Sequence, residues 1–274
     1  MNDNIRPDEM SFWEHVEVLR ASLIKMAIVI MLCSVMAFLF KEEMFSVLLA
    51  PKNDAFITYS LFRRIAEWTT GKADAAFSIQ LINTGLTEQF VIHMKASVCI
   101  GFLMSSPYLL YQLFHFISPA LYENERKYSL RVAGSGYVMF ILGVLLSYFL
   151  IFPLTFRFLG TYQVSSDVTN MIILQSYMGT LLMMCSLMGI VFELPVLCWL
   201  LAKLGLLSSK GMRHFRKHSI VVILIISAVI TPTSDIFTLS LVALPVWLLY
   251  EVSILIVSKS VNRKSEFSVE CESR

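Results

Sequence analysis

Long runs of hydrophobic positions, separated by shorter polar segments, dominate this chain. Six such runs lie near residues 22–40, 90–113, 132–157, 176–202, 218–232 and 236–257. A helix needs about 20 apolar residues to cross a hydrocarbon layer roughly 30 Å thick. The runs do not alternate as membrane β-strands do, so helices are the spanning structure that remains. The pattern predicts an all-α polytopic membrane protein with six transmembrane helices in a single membrane domain, residues 1–274.

The last two runs are shorter than the others. Their uninterrupted apolar parts, Ile220–Ile230 and Ile236–Leu249, have 11 and 14 residues. As helices these would measure about 17 and 21 Å, at about 1.5 Å per residue. We therefore expect short fifth and sixth spans, in a bilayer that thins locally or with little helix tilt.

The polar segments predict three further features. Residues 41–86 form a long outer loop, within which 57–70 has the composition of a short amphipathic helix. Residues 258–274 form a cytoplasmic tail. Near the N-terminus, the segment 11–24 carries apolar residues at helical spacing on one face, namely Phe12, Val16, Leu19 and Leu23. This spacing predicts an amphipathic helix on the inner membrane surface.

Composition agrees with a membrane protein. The chain is 57% hydrophobic and 15% charged, whereas soluble domains are usually about 45–50% apolar. The net charge of +2 indicates little about partners, and we expect no nucleic-acid partner. The lipid bilayer itself is the environment that this composition requires.

The distribution of basic residues predicts the topology. On one side, short segments carry Arg6, Arg20, Arg126, Lys127, Lys203, Lys210, Arg213, Arg216, Lys217, Lys259, Arg263 and Lys264. On the other side, the 158–175 and 232–236 connections contain no Lys or Arg. Because short basic segments stay in the cytoplasm, both termini should be cytoplasmic.

One carboxylate, Glu193, lies in the fourth run two positions before Pro195. It is about 15 Å along a helix from Lys203, near mid-membrane, where a charge costs at least about 2.5 to 3.5 kcal/mol. Pro195 leaves the Val191 carbonyl without its usual donor, which opens a polar notch beside the acid. Acid and notch together predict a docking site for a polar group on another helix. The alternative is an acid satisfied by a Ser, Thr or Tyr of a neighbouring span.

The sequence lacks the residues that several kinds of catalytic or metal site require. An intramembrane serine protease needs a His base at mid-membrane, but His115, His214 and His218 lie at the inner edge and His93 near the outer edge. The five cysteines form no Cys-x-x-Cys pair and no metal-ligand spacing. The chain has no G-x-x-x-x-G-K-[ST] loop. We therefore expect no enzyme activity, no metal and no cofactor.

Short motifs spread over nearly the whole chain resemble the TatC family, the multi-span receptor subunit of the twin-arginine protein translocase. They are FWEHVEVLR, LLAP ending at Pro51, FHFISPALYENERK, FELP around Glu193, ITPTSD around Asp235 and ALPVWLLYE ending at Glu251. The resemblance implies six spans with both termini inside, in the bacterial cytoplasmic (inner) membrane. It also implies a receptor for twin-arginine signal peptides of folded cargo. Such a receptor recruits small single-span partner subunits, associates into a larger complex and uses the proton-motive force.

The resemblance assigns roles to individual residues. In the segment between the second and third spans, Glu125 matches the loop acid that binds the arginine pair, and Phe116 and Arg126 belong to the same motif. Glu193, followed by Pro195, matches the intramembrane acid where a partner helix docks. Structural positions of the motifs are Pro51, Pro119, Pro232 and Asp235.

The first motif departs from the family pattern. Val18 occupies the position of the motif acid, between Glu17 and the motif's Arg20. Two arginines pair best with separate carboxylates, so another N-terminal acid should replace the missing one. Glu14 lies one turn earlier on nearly the same face as Val18, whereas Glu17 is rotated about 100° around the helix. This geometry favours Glu14 over Glu17, unless Glu14 is held in a capping box with Ser11.

A six-span ion or small-solute transporter is the alternative function. Transporters of this size often contain internal repeats and paired broken helices at the midplane, and no repeat is evident in this sequence. A proton relay would need a chain of ionisable groups, but Glu193 is the only acid at mid-span.

Overall fold

The fold is described by a computed structural model for residues 12–70, 80–117, 129–162, 165, 170–231 and 235–272. Within these ranges the helices are α1 Phe12–Leu39, α2 Lys41–Leu49, α3 Ile57–Thr70, α4 Glu88–Ile117, α5 Ser129–Leu146, α6 Phe152–Thr161, α7 Leu174–Val191, α8 Leu194–Lys203, α9 Ser209–His214, α10 Arg216–Ile230 and α11 Ile236–Glu272. A 3₁₀ turn, Ala50–Lys52, follows α2, and a π-helical turn, Ser147–Ile151, joins α5 to α6. The prediction of an all-α polytopic membrane fold is confirmed.

Among the described residues, five helical segments are long and apolar enough to cross a membrane. They are Val16–Leu39, Glu88–Phe116, Val132–Thr161, Leu174–Lys203 and Ile236–Lys259. The remaining predicted span, 218–232, corresponds to α10, which has only 15 residues. It ends at Ile230 because Thr231, which precedes a proline, is already extended at φ −83° and ψ 127°.

The sixth span is not short, which corrects the sequence-based expectation. Helix α11 continues without a break through Glu251 and into the segment predicted as a tail, ending only at Glu272. Its apolar part extends to Lys259. Glu251 lies inside this helix and forms an ion pair with Arg216 at the start of α10, at 2.6 Å between Oε2 and Nη2.

The predicted N-terminal amphipathic segment and the first span form one helix of 28 residues. No proline or glycine lies between residues 12 and 39, so nothing in the sequence separates a surface helix from a span. Helix α1 packs against the antiparallel helix α4. In the outer half of this pair Gly101 is required, because a Cβ at that position would lie 2.3 Å from the Ser34 hydroxyl oxygen.

The core is centred on α7. Its buried face includes Met178, Leu181, Met184 and Met188, each no more than 1% exposed. Helices α4, α5, α10 and the π turn contact this face, while α11 packs mainly on α8 and α10. Helices α4, α5, α6, α10 and α11 thus share an apolar centre with α7.

Two short strands define one end of the bundle. Strand β1, Leu81–Ile82, pairs in parallel with strand β2, Ile172–Ile173, with Leu81 opposite Ile172. The pairing brings the 41–86 segment and the connection before α7 to the same end. We name this end, which also carries α2 and α3, the outer end, and the opposite one the inner end.

Candidate functional sites at the inner end and in the fourth span

At the inner end, the packing of α1 on α4 brings predicted binding residues together. The Gln112 side-chain amide donates a hydrogen bond of 2.9 Å to the Ser22 hydroxyl oxygen. Because the two helices are antiparallel, residues before Ser22 lie level with residues after Gln112. Glu17 is therefore level with Phe116 and the end of α4.

The described members of the predicted peptide-binding set have different exposures. The side chains of Glu17 and Arg20 are exposed on α1, and Phe116 is half-buried at the end of α4. Val18, which replaces the motif acid, is 44% exposed, so the surface at this position is open. Helix α1 includes Glu14, but its side chain lies outside the described part of the structure. Outside the described residues lie Glu125, Arg126 and Pro119.

In the fourth span, Glu193 lies between two helices. Helix α7 ends at Val191 and α8 begins at Leu194. The Glu193 amide donates to the Ile190 carbonyl at 3.1 Å, three residues back, instead of continuing the α-helical pattern. Its own carbonyl accepts from Val196 and Leu197 and so starts α8. Pro195, in the first turn of α8, has no N–H to donate, which explains why the helix breaks here.

The Glu193 side chain is buried and lies against the third span. It is 7% exposed. A Cβ added to Gly136 on α5 would lie 3.0 Å from Glu193 Oε2 and 3.2 Å from the Phe114 ring. Glycine at 136 therefore leaves the space that the carboxylate occupies. Sequence reasoning missed Gly136, although a glycine in the long apolar run of the third span was a signal for a close approach.

The environment of this carboxylate is deficient in donors. Among the residues that the structure describes, neither Glu193 oxygen has a hydrogen-bond partner. The predicted alternative, satisfaction by a hydroxyl of a neighbouring span, is thus not seen in the described part. A buried charged or polar group without a partner costs free energy. A donor from another molecule would remove that cost.

Next to the break is an apolar cleft on the membrane-facing side. Its volume is about 340 Å³, and it is lined by Val132, Ser135, Met139, Pro195, Val196, Trp199 and Ile256. Pro195 thus forms part of its wall. The cleft lies between the third, fourth and sixth spans, beside the segment of α5 that contains Gly136. Its lining is mostly apolar, with Ser135 as the one polar residue among those that line it.

The predicted structural positions have ordinary structural contacts where they are described. Pro51 is buried in the 3₁₀ turn, and its carbonyl lies 3.0 Å from the Tyr59 hydroxyl. Asp235 caps α11, because its carboxylate accepts from the Thr238 amide at 2.7 Å and from the Thr238 hydroxyl at 2.6 Å. Pro232 lies outside the described residues.

Known proteins resemble this chain over most of its length. Residues 14–245 match the family described as TatC, Sec-independent protein translocase protein. A Sec-independent protein translocase protein TatC from Blattabacterium sp. subsp. Periplaneta americana (strain BPLAN) is 33% identical over 254 residues, which are 91% of this chain and 95% of that protein. The TatC protein from Aquifex aeolicus (strain VF5) is 31% identical over 94% of this chain and 98% of its own length.

A solved structure also matches. It is described as the crystal structure of the twin-arginine translocase receptor TatC, and it superimposes with a TM-score of 0.73 at 30% sequence identity. The match covers 90% of this chain and 100% of the solved chain. Sequence and fold thus agree on the same group of proteins.

Proposed function

This chain belongs to the TatC family of Sec-independent protein translocase proteins, and we propose that it is the receptor subunit of a twin-arginine translocase. In this role it binds the twin-arginine signal peptides of folded proteins. It then recruits small single-span partner subunits for export driven by the proton-motive force, in a complex that contains further copies. We assign it no catalytic chemistry.

The orientation in the bacterial inner membrane follows from charge. Among the described basic residues, those of the short segments lie at or near the inner end, namely Arg20, Lys203, Lys210, Arg213, Arg216, Lys217 and Lys259. Others lie toward the outer end, mostly in the long outer segment, which has little weight in the charge rule, namely Lys41, Lys52, Arg63, Arg64 and Arg157. Because positively charged short segments remain in the cytoplasm, we propose that the inner end and both termini are cytoplasmic. The outer end, with its paired strands, then faces the opposite compartment.

The observation that carries the receptor proposal is the packing of α1 on α4. It brings Glu17 and Arg20 to the end of α4, immediately before the segment that contains Glu125. Each arginine of a signal peptide presents a planar fork that matches one carboxylate, and each such contact contributes about 1.5 to 3 kcal/mol when partly desolvated. Glu125 supplies one carboxylate, and an acid of α1 supplies the other.

Two arginines of the predicted peptide-binding set are close in sequence to these acids. Arg20 is three residues from Glu17 on a helix, and Arg126 directly follows Glu125. Each of the two acids therefore has a basic residue close to it in sequence. Phe116 offers an apolar contact beside them.

Glu193 is the proposed docking point for a partner helix. A polar side chain on that helix would satisfy the carboxylate, while apolar side chains would fill the cleft beside Pro195. This arrangement explains why a buried acid without a described partner is tolerated in the fourth span.

The test uses photocrosslinking of a twin-arginine peptide and of its twin-lysine variant to the full-length protein in membranes. We expect Glu125→Ala to abolish preferential binding of the twin-arginine peptide. We also expect Glu14→Ala to weaken binding more than Glu17→Ala does. Glu123→Ala, in the same loop, is the matched control and should retain discrimination.

Two outcomes would overturn these assignments. Full discrimination by the Glu125→Ala variant would exclude Glu125 as the arginine partner. A larger loss with Glu17→Ala than with Glu14→Ala would show that Glu17 replaces the missing motif acid.

A further inference from the structure

Helix α3 in the outer segment has two apolar sides, and within the described part of the chain one of them packs on the protein while the other is exposed. At about 100° per residue, the polar residues Ser60, Arg63, Arg64 and Glu67 fall within about 100° of each other. The rest of the helix circumference is largely apolar. Ile57, Leu61 and Trp68 lie within about 40° of one another, next to Arg64. We call these three residues the outward apolar stripe.

The opposite side of α3 is fixed to the third span. Pro153 cannot donate to the Phe149 carbonyl, and the Thr58 hydroxyl donates to this carbonyl instead. The Tyr59 hydroxyl lies 3.1 Å from the Pro153 carbonyl and 3.0 Å from the Pro51 carbonyl. Both side chains are buried. These contacts set the height of α3 relative to the bilayer.

Counted along the span from Val132, that height is close to the outer boundary of the hydrocarbon layer, and the last turns of the span, up to Thr161, extend past it. Phe149 lies 17 residues after Val132, the first residue of the third span. At about 1.5 Å per residue this is about 26 Å, in a layer roughly 30 Å thick. Phe149 and Leu150 are themselves 37% and 38% exposed on the span surface. Helix α3 therefore begins beside side chains that face lipid.

The outward apolar stripe is strongly exposed. Ile57 is 68%, Leu61 55% and Trp68 88% exposed. Tryptophan concentrates at membrane interfaces because its ring is apolar and its N–H is polar. An exposed arginine beside the stripe, Arg64, complements the negative charge of lipid phosphates. The level of α3, the exposed apolar stripe and the charge of Arg64 are thus all compatible with contact to lipid.

We propose that α3 is an interfacial helix that buries its outward apolar stripe in the outer leaflet, at the level between phospholipid headgroups and acyl chains. Arg64 contacts lipid phosphate, and the remaining polar residues face water. An amphipathic helix in this position adds apolar burial in the lipid to the protein contacts of Thr58 and Tyr59. It thereby anchors the outer end of the bundle to the membrane surface. The inference is independent of signal-peptide binding.

Fluorescence of Trp68 in phospholipid vesicles tests the proposal. The full chain is reconstituted with Trp68 as its sole tryptophan, after Trp13→Phe, Trp199→Phe and Trp247→Phe. Lipids brominated close to the glycerol should quench Trp68 at least about twofold more than lipids brominated near the methyl end. Aqueous iodide should quench it weakly. A second protein that retains only Trp247, which is half-exposed eleven residues into the sixth span, should show the opposite depth preference.

Matched charge variants test the stripe itself. In the protein with Trp68 alone, Leu61→Asp should lower quenching by the shallow brominated lipids by at least about half. Ser60→Asp adds the same charge on the polar side and should leave quenching unchanged. Strong quenching of Trp68 by iodide, with none by brominated lipid, would overturn the proposal. Protection from both quenchers would also overturn it, because another protein surface would then cover the stripe.

Discussion

Among the described residues, two prolines lie at interruptions of transmembrane helices, and their surroundings differ. Pro153 follows the π turn of the third span, and Pro195 follows the break in the fourth. At Pro153, Thr58 and Tyr59 of α3 supply hydroxyl groups to the Phe149 and Pro153 carbonyls. Beside Pro195, the Glu193 carboxylate has no hydrogen-bond partner among the described residues.

The difference is whether the chain's own side chains satisfy the polar groups at the break. They do so at Pro153, and at Pro195 we propose that a partner helix does. The same local cause, a missing N–H, operates at both positions. At the outer end the chain closes the break with its own side chains, so this region is structural. In the fourth span a buried acid without a described partner lies beside an apolar cleft, where we propose that another helix docks. Variants that affect one break and not the other test this distinction.

The largest effect is expected at the outer break. Tyr59→Phe removes the hydroxyl that lies between the Pro51 and Pro153 carbonyls, and leaving buried polar groups unpaired costs about 1–3 kcal/mol. We expect the free energy of unfolding in detergent to fall by that amount. Ser60→Ala is the control, because the Ser60 hydroxyl bonds only to carbonyls of nearby residues, Ala55 and Phe56. Equal stability of the two variants would show that the outer break needs no closure.

The pH dependence of stability gives a second test of the Tyr59 hydroxyl. Burial is the main cause that raises the pKa of the Tyr59 phenol above its usual range, with Arg157 opposing and Asp54 adding to the effect. Its contribution to stability is therefore complete below the pKa of an unfolded tyrosine, about 10, and is lost as the pH rises further. The difference in stability between the wild-type protein and Tyr59→Phe should shrink above about pH 10. A constant difference would contradict burial of the phenol.

The next effect concerns the open break. Glu193→Ala should lower site-specific crosslinking to a single-span partner about tenfold, equivalent to about 1.4 kcal/mol. Membrane insertion should be intact, because removing a buried acid relieves a desolvation cost. Glu193→Gln should be milder, since an amide still forms hydrogen bonds. Glu251→Ala is the control, because Glu251 already pairs with Arg216 within the chain. If a crosslinker at position 193 captures only lipid and this chain's own helices, the docking role is wrong.

The smallest effect tests the space around Glu193. Gly136→Ala places a methyl group against the carboxylate and Phe114, and we expect a loss of about 1 kcal/mol in unfolding free energy, at the low end for overpacking. Gly134→Ala is the matched control. A Cβ at Gly134 meets no atom within 4 Å, so its higher helix propensity should make this change neutral or stabilising by about 0.5–1 kcal/mol. The Gly136→Ala penalty should decrease in the Glu193→Ala background. Identical penalties in both backgrounds would mean that the carboxylate does not occupy this space.

Much of the fold could be predicted because lipid is a uniform apolar solvent. The apolar runs marked the spanning helices, and Pro195 predicted a polar notch beside Glu193, where the structure has a break between α7 and α8. The amphipathic composition of 57–70 predicted α3, which spans Ile57–Thr70. Errors arose where distant residues change the effect of a polar group. The sixth span was expected to be short because its uninterrupted apolar part was counted only to Leu249, whereas α11 continues through Glu251, which pairs with Arg216, 35 residues away.

The site was only partly predictable for the same reason. Glu193 stood out in the sequence because an acid at mid-span is costly wherever it lies. Gly136 did not stand out, because its role depends on the packing of α5 against α7 and α8. Similarly, the sequence offered Thr58 and Tyr59 as ordinary residues of an amphipathic helix, with no sign that they complete the hydrogen bonds of a span 91 residues away.

The sequence by itself determined which segments are long and apolar enough to span a bilayer, which residues are too polar for their surroundings and which short segments are basic. These properties depend on each residue's own transfer free energy and on the few neighbours within one helical turn. Only the tertiary structure decided which of the two proline breaks is closed, where the Glu193 carboxylate lies, and which side of α3 is left for lipid. Those outcomes depend on contacts between helices far apart in the chain, and hydrophobic periodicity carries no information about which faces meet.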